Sequence, residues 1–377
     1  WNPAVVPGGQ YTRVTIDRPS ADVTVQHTTG STDVLDLTCE ETLEIAGGAL
    51  TVLGAGRIIG ALSVSGATLQ SRGDFRAYGP AYLNNASLYA NQGAHARLLL
   101  PTATSYSHQA NWYSVTWEAL DGALLDLSGL LTVSDPANQS DLTIRALNGG
   151  RINLGSATAL TCGTGGASNI ALSASGAGSY VDLSSLASYS DALVDGNGPS
   201  QLSVSTSGTV YAPSLRTLDG VYVTLDATGV LSTNQWTSFT RGACTISGIG
   251  RDLSGVLNGE SSTFAPTGVH LDLGQATTIR GARINLQGGG TIDLGSVTDI
   301  DNAGFTIKDG VILNVPQVSS YTYSTAWAGA TWESNGPGSV LDLSTVTSVQ
   351  LPANQSDLNI RALNGGRINL GSATALT

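Results

Sequence analysis

The sequence predicts an all-β chain wound as a parallel β-solenoid, of the three-sided right-handed β-helix type, with coils of about 21–29 residues. Three observations carry this expectation. First, PANQSDLTIRALNGGRINLGSATALT at residues 136–161 returns at 352–377, with only Thr143 and Asn359 differing. Second, a shorter period runs inside that 216-residue offset, because INLGSATAL recurs in degenerate form as LLLPTATSY, LDLSGLLTV, VDLSSLASY, LDLGQATTI, IDLGSVTDI and LDLSTVTSV. Third, each period alternates apolar and polar residues between glycine-rich turns, the pattern of short strands.

The third residue of the recurring phrase gives a set of anchors: Leu100, Leu127, Leu154, Leu183, Ala212, Leu273, Leu294, Val315, Leu343 and Leu370. Neighbouring anchors lie 21, 27, 28 or 29 residues apart, except for one gap after Ala212 that must hold further coils. Within one coil, Leu142 and Ile144 alternate with Thr143 and Arg145, which marks a strand with one inward face. Gly149 and Gly150 then supply a turn that needs unusual backbone angles. Ile152 and Leu154 point inward around an outward Asn153, and a corner residue follows. That corner is Gly155, Gly274, Gly295 or Gly371, Ser128, Ser184 or Ser344, or Pro101, Pro213 or Pro316. Proline fits there because a corner donates no ladder hydrogen bond. Ala157 and Leu160 resume the inward face. A tandem of β-sandwiches would also show short strands and turns, but a register held without hairpin pairs favours the solenoid. The expected organisation is a lead-in cap over residues 1–21 and a continuous solenoid over 22–377 that contains the duplicated block.

Composition narrows the function. The net charge is −12 and Lys308 is the only lysine. No basic stripe is available to neutralise phosphates, so nucleic acid is not an expected partner. No stretch reaches the roughly 18–20 apolar residues of a membrane span. The chain opens at Trp1 without a basic and apolar leader, so any signal peptide is expected to have been removed or to lie outside this sequence. Three cysteines make no disulfide framework. They sit several coils apart, and no intrachain disulfide is expected; either redox compartment is allowed.

Candidate residues follow from the register. An outward column of Asp126, Asn153, Asp182, Asp272, Asp293, Asn314, Asp342 and Asn369 offers stacked oxygens that Ca²⁺ accepts. Asp272 and Asp293, with Asp299, Asp301 and Asn302 of DIDN, form the candidate metal set; no cofactor is expected, and Ca²⁺ is the sole candidate. The plainer reading is a solvated face on which Asn relieves repulsion between Asp neighbours. Aligning ANWYSVTWEALDG with ANQSDLTIRALNG puts Trp117 in the inward slot of Ile144, and Trp332 matches Ile360 in the same way. Trp112 and Trp327 fall elsewhere, at the position of Gln139, and are the candidates for stacking on carbohydrate. The same alignment pairs Glu118 with Arg145 and Glu333 with Arg361 as exposed structural ion pairs. Glu40 is expected at an inward position of LDLTCEETL. No GxSxG, HExxH or P-loop motif is present, and the four histidines sit in no motif. An enzyme is therefore not the expected class, and a polysaccharide lyase or hydrolase is the minority reading.

The opening WNPAVVPGGQYTRVTIDRPSADVTV resembles the lead-in of secreted bacterial β-helix proteins, and the GGxIDLGxxTxI coils are similar to those of very large, repeat-rich bacterial surface proteins of the adhesin and haemagglutinin-like kind. This resemblance implies secretion or cell-surface display and a structural or adhesive role; it transfers no catalytic residue. The expected function is an extracellular rod, filament or surface-layer module. The rival is a polysaccharide-binding or polysaccharide-degrading β-helix, with surface polysaccharide as partner. An uncapped last coil recruits another strand. The end at Thr377 is thus expected to be covered by further repeats or by a subunit stacked end to end.

Overall fold

Most coils carry three short strands that pair in parallel with their counterparts in the next, and where Asn258, Thr278 and Asp299 stand the third side is reduced to isolated bridges. The computed structural model describes residues 9–164, 166, 168–193, 198–352 and 354–376; the Trp-Asn-Pro opening and Thr377 lie outside them. The described residues contain strands and turns and no helix. The fold is a parallel β-solenoid. Strands Val115–Leu120, Leu124–Asp126 and Thr132–Asp135 form one coil. They pair with Asp141–Leu147, Arg151–Asn153 and Ala159–Cys162 of the next.

The chain divides into two compact units, Trp1–Ser214 with Gly229–Leu231, and Leu215–Thr228 with Ser232–Thr377. In the first unit one inward column runs Leu50, Leu69, Leu88, Trp117, Ile144, Leu172 and Leu202. In the second the same column runs Cys244, Phe264, Ile284, Phe305, Trp332 and Ile360. Every member but Ile360 is buried, each covered by the residue one coil away. A fully buried apolar side chain of this kind contributes roughly 1.5–3 kcal/mol, and the parallel ladders satisfy the backbone groups that burial would orphan.

Burial supports the anchor positions: Leu100, Leu127, Leu154, Leu183, Ala212, Leu273, Leu294, Val315 and Leu343 are all inside. Leu370, on the last coil, is half-buried. The wide gap after Ala212 holds two further anchors, Thr233 and Leu253. Thr233 hid its coil because it is polar, yet it is buried with its hydroxyl donating to the Asp252 carbonyl at 2.6 Å. Coil length ranges further than the sequence phrases suggested. Thr32 pairs with Leu50 and Leu50 with Leu69, steps of 18 and 19 residues, while Leu172 pairs with Leu202, a step of 30. The added residues fall between strands, as between Ser188–Asp191 and Ser200–Ser205.

Two local devices turn the chain. Asn148 and Gly149 take φ of 51° and 85°, and a side chain on Gly150 would run its Cβ into the Ala119 carbonyl oxygen. At the corners, the outward Asp or Asn accepts a hydrogen bond from the backbone N–H two residues on. Asp126 takes Ser128 at 3.0 Å, Asn153 takes Gly155 at 3.0 Å and Asp182 takes Ser184 at 2.9 Å. These are Asx turns. Proline at Pro101 and Pro213 has no N–H to cap, and there the same register position holds Leu99, which is buried, and Tyr211, which is exposed. Asn314 before Pro316 is the exception.

Two expectations need correction. Glu40 is exposed at a turn, and Cys39 takes the inward slot, paired with Ile58. Glu118, expected on an exposed face, is buried.

Candidate functional site

The four predicted tryptophan positions separate cleanly. Trp117 pairs with Ile144 and Trp332 with Ile360, as the alignment required. Both are fully buried, and their indole N–H groups donate to the carbonyls of Ala86 at 3.0 Å and Ala303 at 3.3 Å in the preceding coil. Tyr106 packs edge-on against Trp117 and Tyr321 against Trp332, each at a centroid distance of 4.6 Å. These residues fill the core.

Trp112 and Trp327 are the opposite case, 74% and 76% exposed. Each sits in the left-handed backbone region, at φ 60° and 61°, where a bulky side chain costs about 1–2 kcal/mol. Each loop is held by an asparagine of the previous coil that is itself left-handed. Asn85 Oδ1 accepts from the N–H groups of Gln109 and Ala110 at 2.7 and 3.0 Å. Asn302 Oδ1 accepts from Ser324 N–H at 2.7 Å. Asn302, a member of the candidate metal set, therefore anchors the Trp327 loop. A groove of about 530 Å³ adjoins that loop, with Arg283, Asn285, Asn302, Gly304, Thr306 and Thr331 among its lining residues.

The ion pairs stand in the predicted register. Arg145 Nε lies 2.6 Å from Glu118 Oε2. Arg361 lies 4.0 Å from Glu333, at the limit of an ion pair. The burial of Glu118 makes the first pair the more consequential, since removing Arg145 would leave a buried carboxylate without its cation.

The other candidate metal residues are spread over two columns. Asp272 pairs with Asp293 across coils, and each caps its own corner, at Gly274 and Gly295. Asp299 and Asp301 converge instead on the Arg280 guanidinium, at 3.0 and 3.3 Å. Among the described residues no three His, Cys, Asp or Glu side chains group as a metal site would require. A related pair joins Arg241 to Asp219. Burial pushes the Asp219 carboxyl up, but hydrogen bonds from Arg241 and Thr240 outweigh it and hold the group below its ordinary range.

Two features escaped the sequence reading. One is a buried titratable column, His108, Asp135, Cys162 and Asp191, on four successive coils. His108 Nδ1 lies 3.4 Å from Asp135 Oδ2. The column pins the loop that begins the next coil. Asp135 accepts from Ser140 Oγ at 2.8 Å, the Cys162 thiol donates to the Ser168 carbonyl, and Asp191 accepts from Ser200 N–H at 2.9 Å. Burial and then the nearby Asp191 and Asp135 raise the Cys162 thiol to about 12, far from a reactive thiolate. With no exposed surface on any member, the column is a polar spine of the fold and not a place where substrate can enter. The signal was present, because each residue lies eight positions after an anchor.

The other is an outward face of the first unit, on strands Gly56–Ile58, Asp74–Ala77, Arg97–Leu99, Leu124–Asp126, Arg151–Asn153, Tyr180–Asp182 and Thr209–Tyr211. Arg57 and Arg76 are register neighbours, and their guanidiniums lie over the Tyr78 ring at 4.7 and 5.1 Å. Further along, Arg151 lies over Tyr180 at 5.9 Å, and Tyr180 stacks on Tyr211 at 6.5 Å. No protein-family model, curated protein or solved structure matches this chain.

Proposed function

We propose that the chain is an extracellular structural and adhesive module: a β-solenoid scaffold that holds exposed loops against a surface. One observation carries the reading. The duplicated architecture presents the same exposed tryptophan, Trp112 and then Trp327, at the same phase of the coil and in the same costly left-handed conformation. Strain of this kind persists where surrounding structure enforces it, and such positions concentrate at binding sites. An indole in water beside a polar groove suits the apolar face of a sugar, so surface carbohydrate is the proposed contact. The secreted location follows from the resemblance to repeat-rich surface proteins. Duplicating coils adds scaffold and a display position without adding catalytic groups.

The test is retention of the purified chain on a panel of immobilised neutral cell-surface polysaccharides, with polymer length measured after incubation. The expected result is retention that is lost in the Trp112→Ala/Trp327→Ala variant, with no shortening of any polymer. Retention unchanged in that variant, or polymer cleavage by the wild type, would overturn the reading.

A further inference from the structure

We propose that the arginine–tyrosine face of the first unit is a second binding surface, for a linear polysaccharide bearing carboxylates. This goes beyond the tryptophan loops and uses none of their residues.

Some arginines of this chain stand in ion pairs and others do not. Arg13, Arg145, Arg241, Arg280 and Arg361 each sit within ion-pair distance of a carboxylate. Arg57, Arg76, Arg97 and Arg151 do not; among the described residues no carboxylate lies within 4.0 Å of their guanidiniums, although all four are exposed on one face of an acidic protein. Asp74 is the register partner of Arg97, and still no ion pair forms between them. Arg57 and Arg76 are held over the Tyr78 ring, a cation–π arrangement that fixes the guanidinium plane and leaves its N–H edge open to an acceptor. A planar fork held ready in this way matches a carboxylate in two-point contact.

The spacing suits a chain and not a point ligand. Arg97, Leu124, Arg151, Tyr180 and Thr209 form one register column, one coil apart at each step. Arg57, Arg76, Leu99, Asp126, Asn153, Asp182 and Tyr211 form the column beside it. At about 4.8 Å per coil, the face offers cations at one end, hydrogen-bond acceptors in the middle and stacked phenols at the other. Asp126 and Asp182 each commit one oxygen to a corner and keep the other for a hydroxyl donor. A polyuronate meets all three needs, with carboxylates for the arginines, hydroxyls for the acidic residues and ring faces for the tyrosines. Single-stranded nucleic acid, another linear polyanion, is the comparison that separates recognition of carboxylates and ring hydroxyls from attraction to the arginine charge alone.

The experiment uses the full chain and polygalacturonate as probe, with dextran as the neutral comparison and single-stranded poly-U as the phosphate comparison. The proposal expects binding to polygalacturonate that weakens steeply with salt, and little binding to dextran or poly-U. The Arg57→Gln/Arg76→Gln/Arg97→Gln variant should bind at least ~10-fold more weakly, and Tyr78→Ala should share part of that loss. Both variants alter exposed side chains, so circular dichroism should match the wild type. The Trp112→Ala/Trp327→Ala variant should bind polygalacturonate normally, which separates this face from the tryptophan reading. Equal binding by the arginine variant, binding to poly-U as tight as to polygalacturonate, or loss in the tryptophan variant alone would each overturn the proposal.

Discussion

Replacing Trp117 with alanine tests the register from which every site here is derived. The side chain is fully buried between Leu88 and Ile144 and against Tyr106. A tryptophan hides roughly 150–250 Å², which at about 25 cal/mol per Å² comes to about 4–6 kcal/mol. Part of that area is already hidden in the unfolded chain. The Ala86 carbonyl also loses its donor, a further loss of about 1 kcal/mol. The expected net destabilisation is ~3–5 kcal/mol, in the range found for large-to-small core changes. Urea unfolding followed by far-ultraviolet circular dichroism measures it, with Trp112→Ala as the control expected to change stability by less than ~0.5 kcal/mol. Trp117→Leu should recover much of the loss, because leucine and isoleucine occupy that slot in the adjacent coils. Equal, small effects of Trp117→Ala and Trp112→Ala would refute the assignment of one tryptophan to the core and the other to the surface.

Three further outcomes follow from the same geometry. Trp112→Gly relieves a left-handed backbone and should raise stability by ~0.5 kcal/mol; a loss of stability in thermal unfolding would mean the indole packs on the protein. Asp126→Ala removes the cap on Ser128 and should cost ~0.5–1.5 kcal/mol in urea unfolding, whereas Leu99→Asn, two residues before Pro101, should only lose stability, because a buried leucine is removed and no N–H is there for the new side chain to cap. The depressed Asp219 carboxyl contributes stability above the ordinary carboxylate pKa of about 3.9, and that contribution is lost as the pH falls through its lower folded-state value. Asp219→Asn should therefore be less stable than wild type at pH 7 by ~0.5–1 kcal/mol, with the difference closing in acid; a difference independent of pH would contradict the ion pair.

Much of the fold was legible because the coil repeats a spatial unit in sequence. Wherever an apolar anchor held its phase, the strands, corners and inward columns followed, and Trp117 and Glu118 could be placed by alignment alone. Thr233 broke the phrase with a buried hydroxyl, so its coil was invisible until the hydrogen bond to Asp252 was seen. Asp126 and its column were legible as an outward row but not as corner caps, since that role depends on which residue has an N–H two positions later. The column His108, Asp135, Cys162 and Asp191 lay in plain register, yet these residues are ordinarily surface or catalytic types, and only their burial identifies them as a spine. The arginine–tyrosine face was missed for a different reason. Arg97, Arg151 and Tyr180 look unrelated in sequence, and become one surface only when coils of unequal length bring them into line.

The most direct test of the account is disulfide trapping between neighbouring coils. Thr116 and Thr143 are register partners on the outward side of adjacent parallel strands, about 4.8 Å apart and within reach of a disulfide. The three native cysteines are buried and free. The Thr116→Cys/Thr143→Cys variant should form an intrachain bond under mild oxidation. Thr116→Cys/Ala171→Cys, two coils apart through Thr143, should not, because roughly 10 Å exceeds what a disulfide spans. A bond in the second variant and none in the first would contradict the stacked-coil register, and with it both proposed binding surfaces.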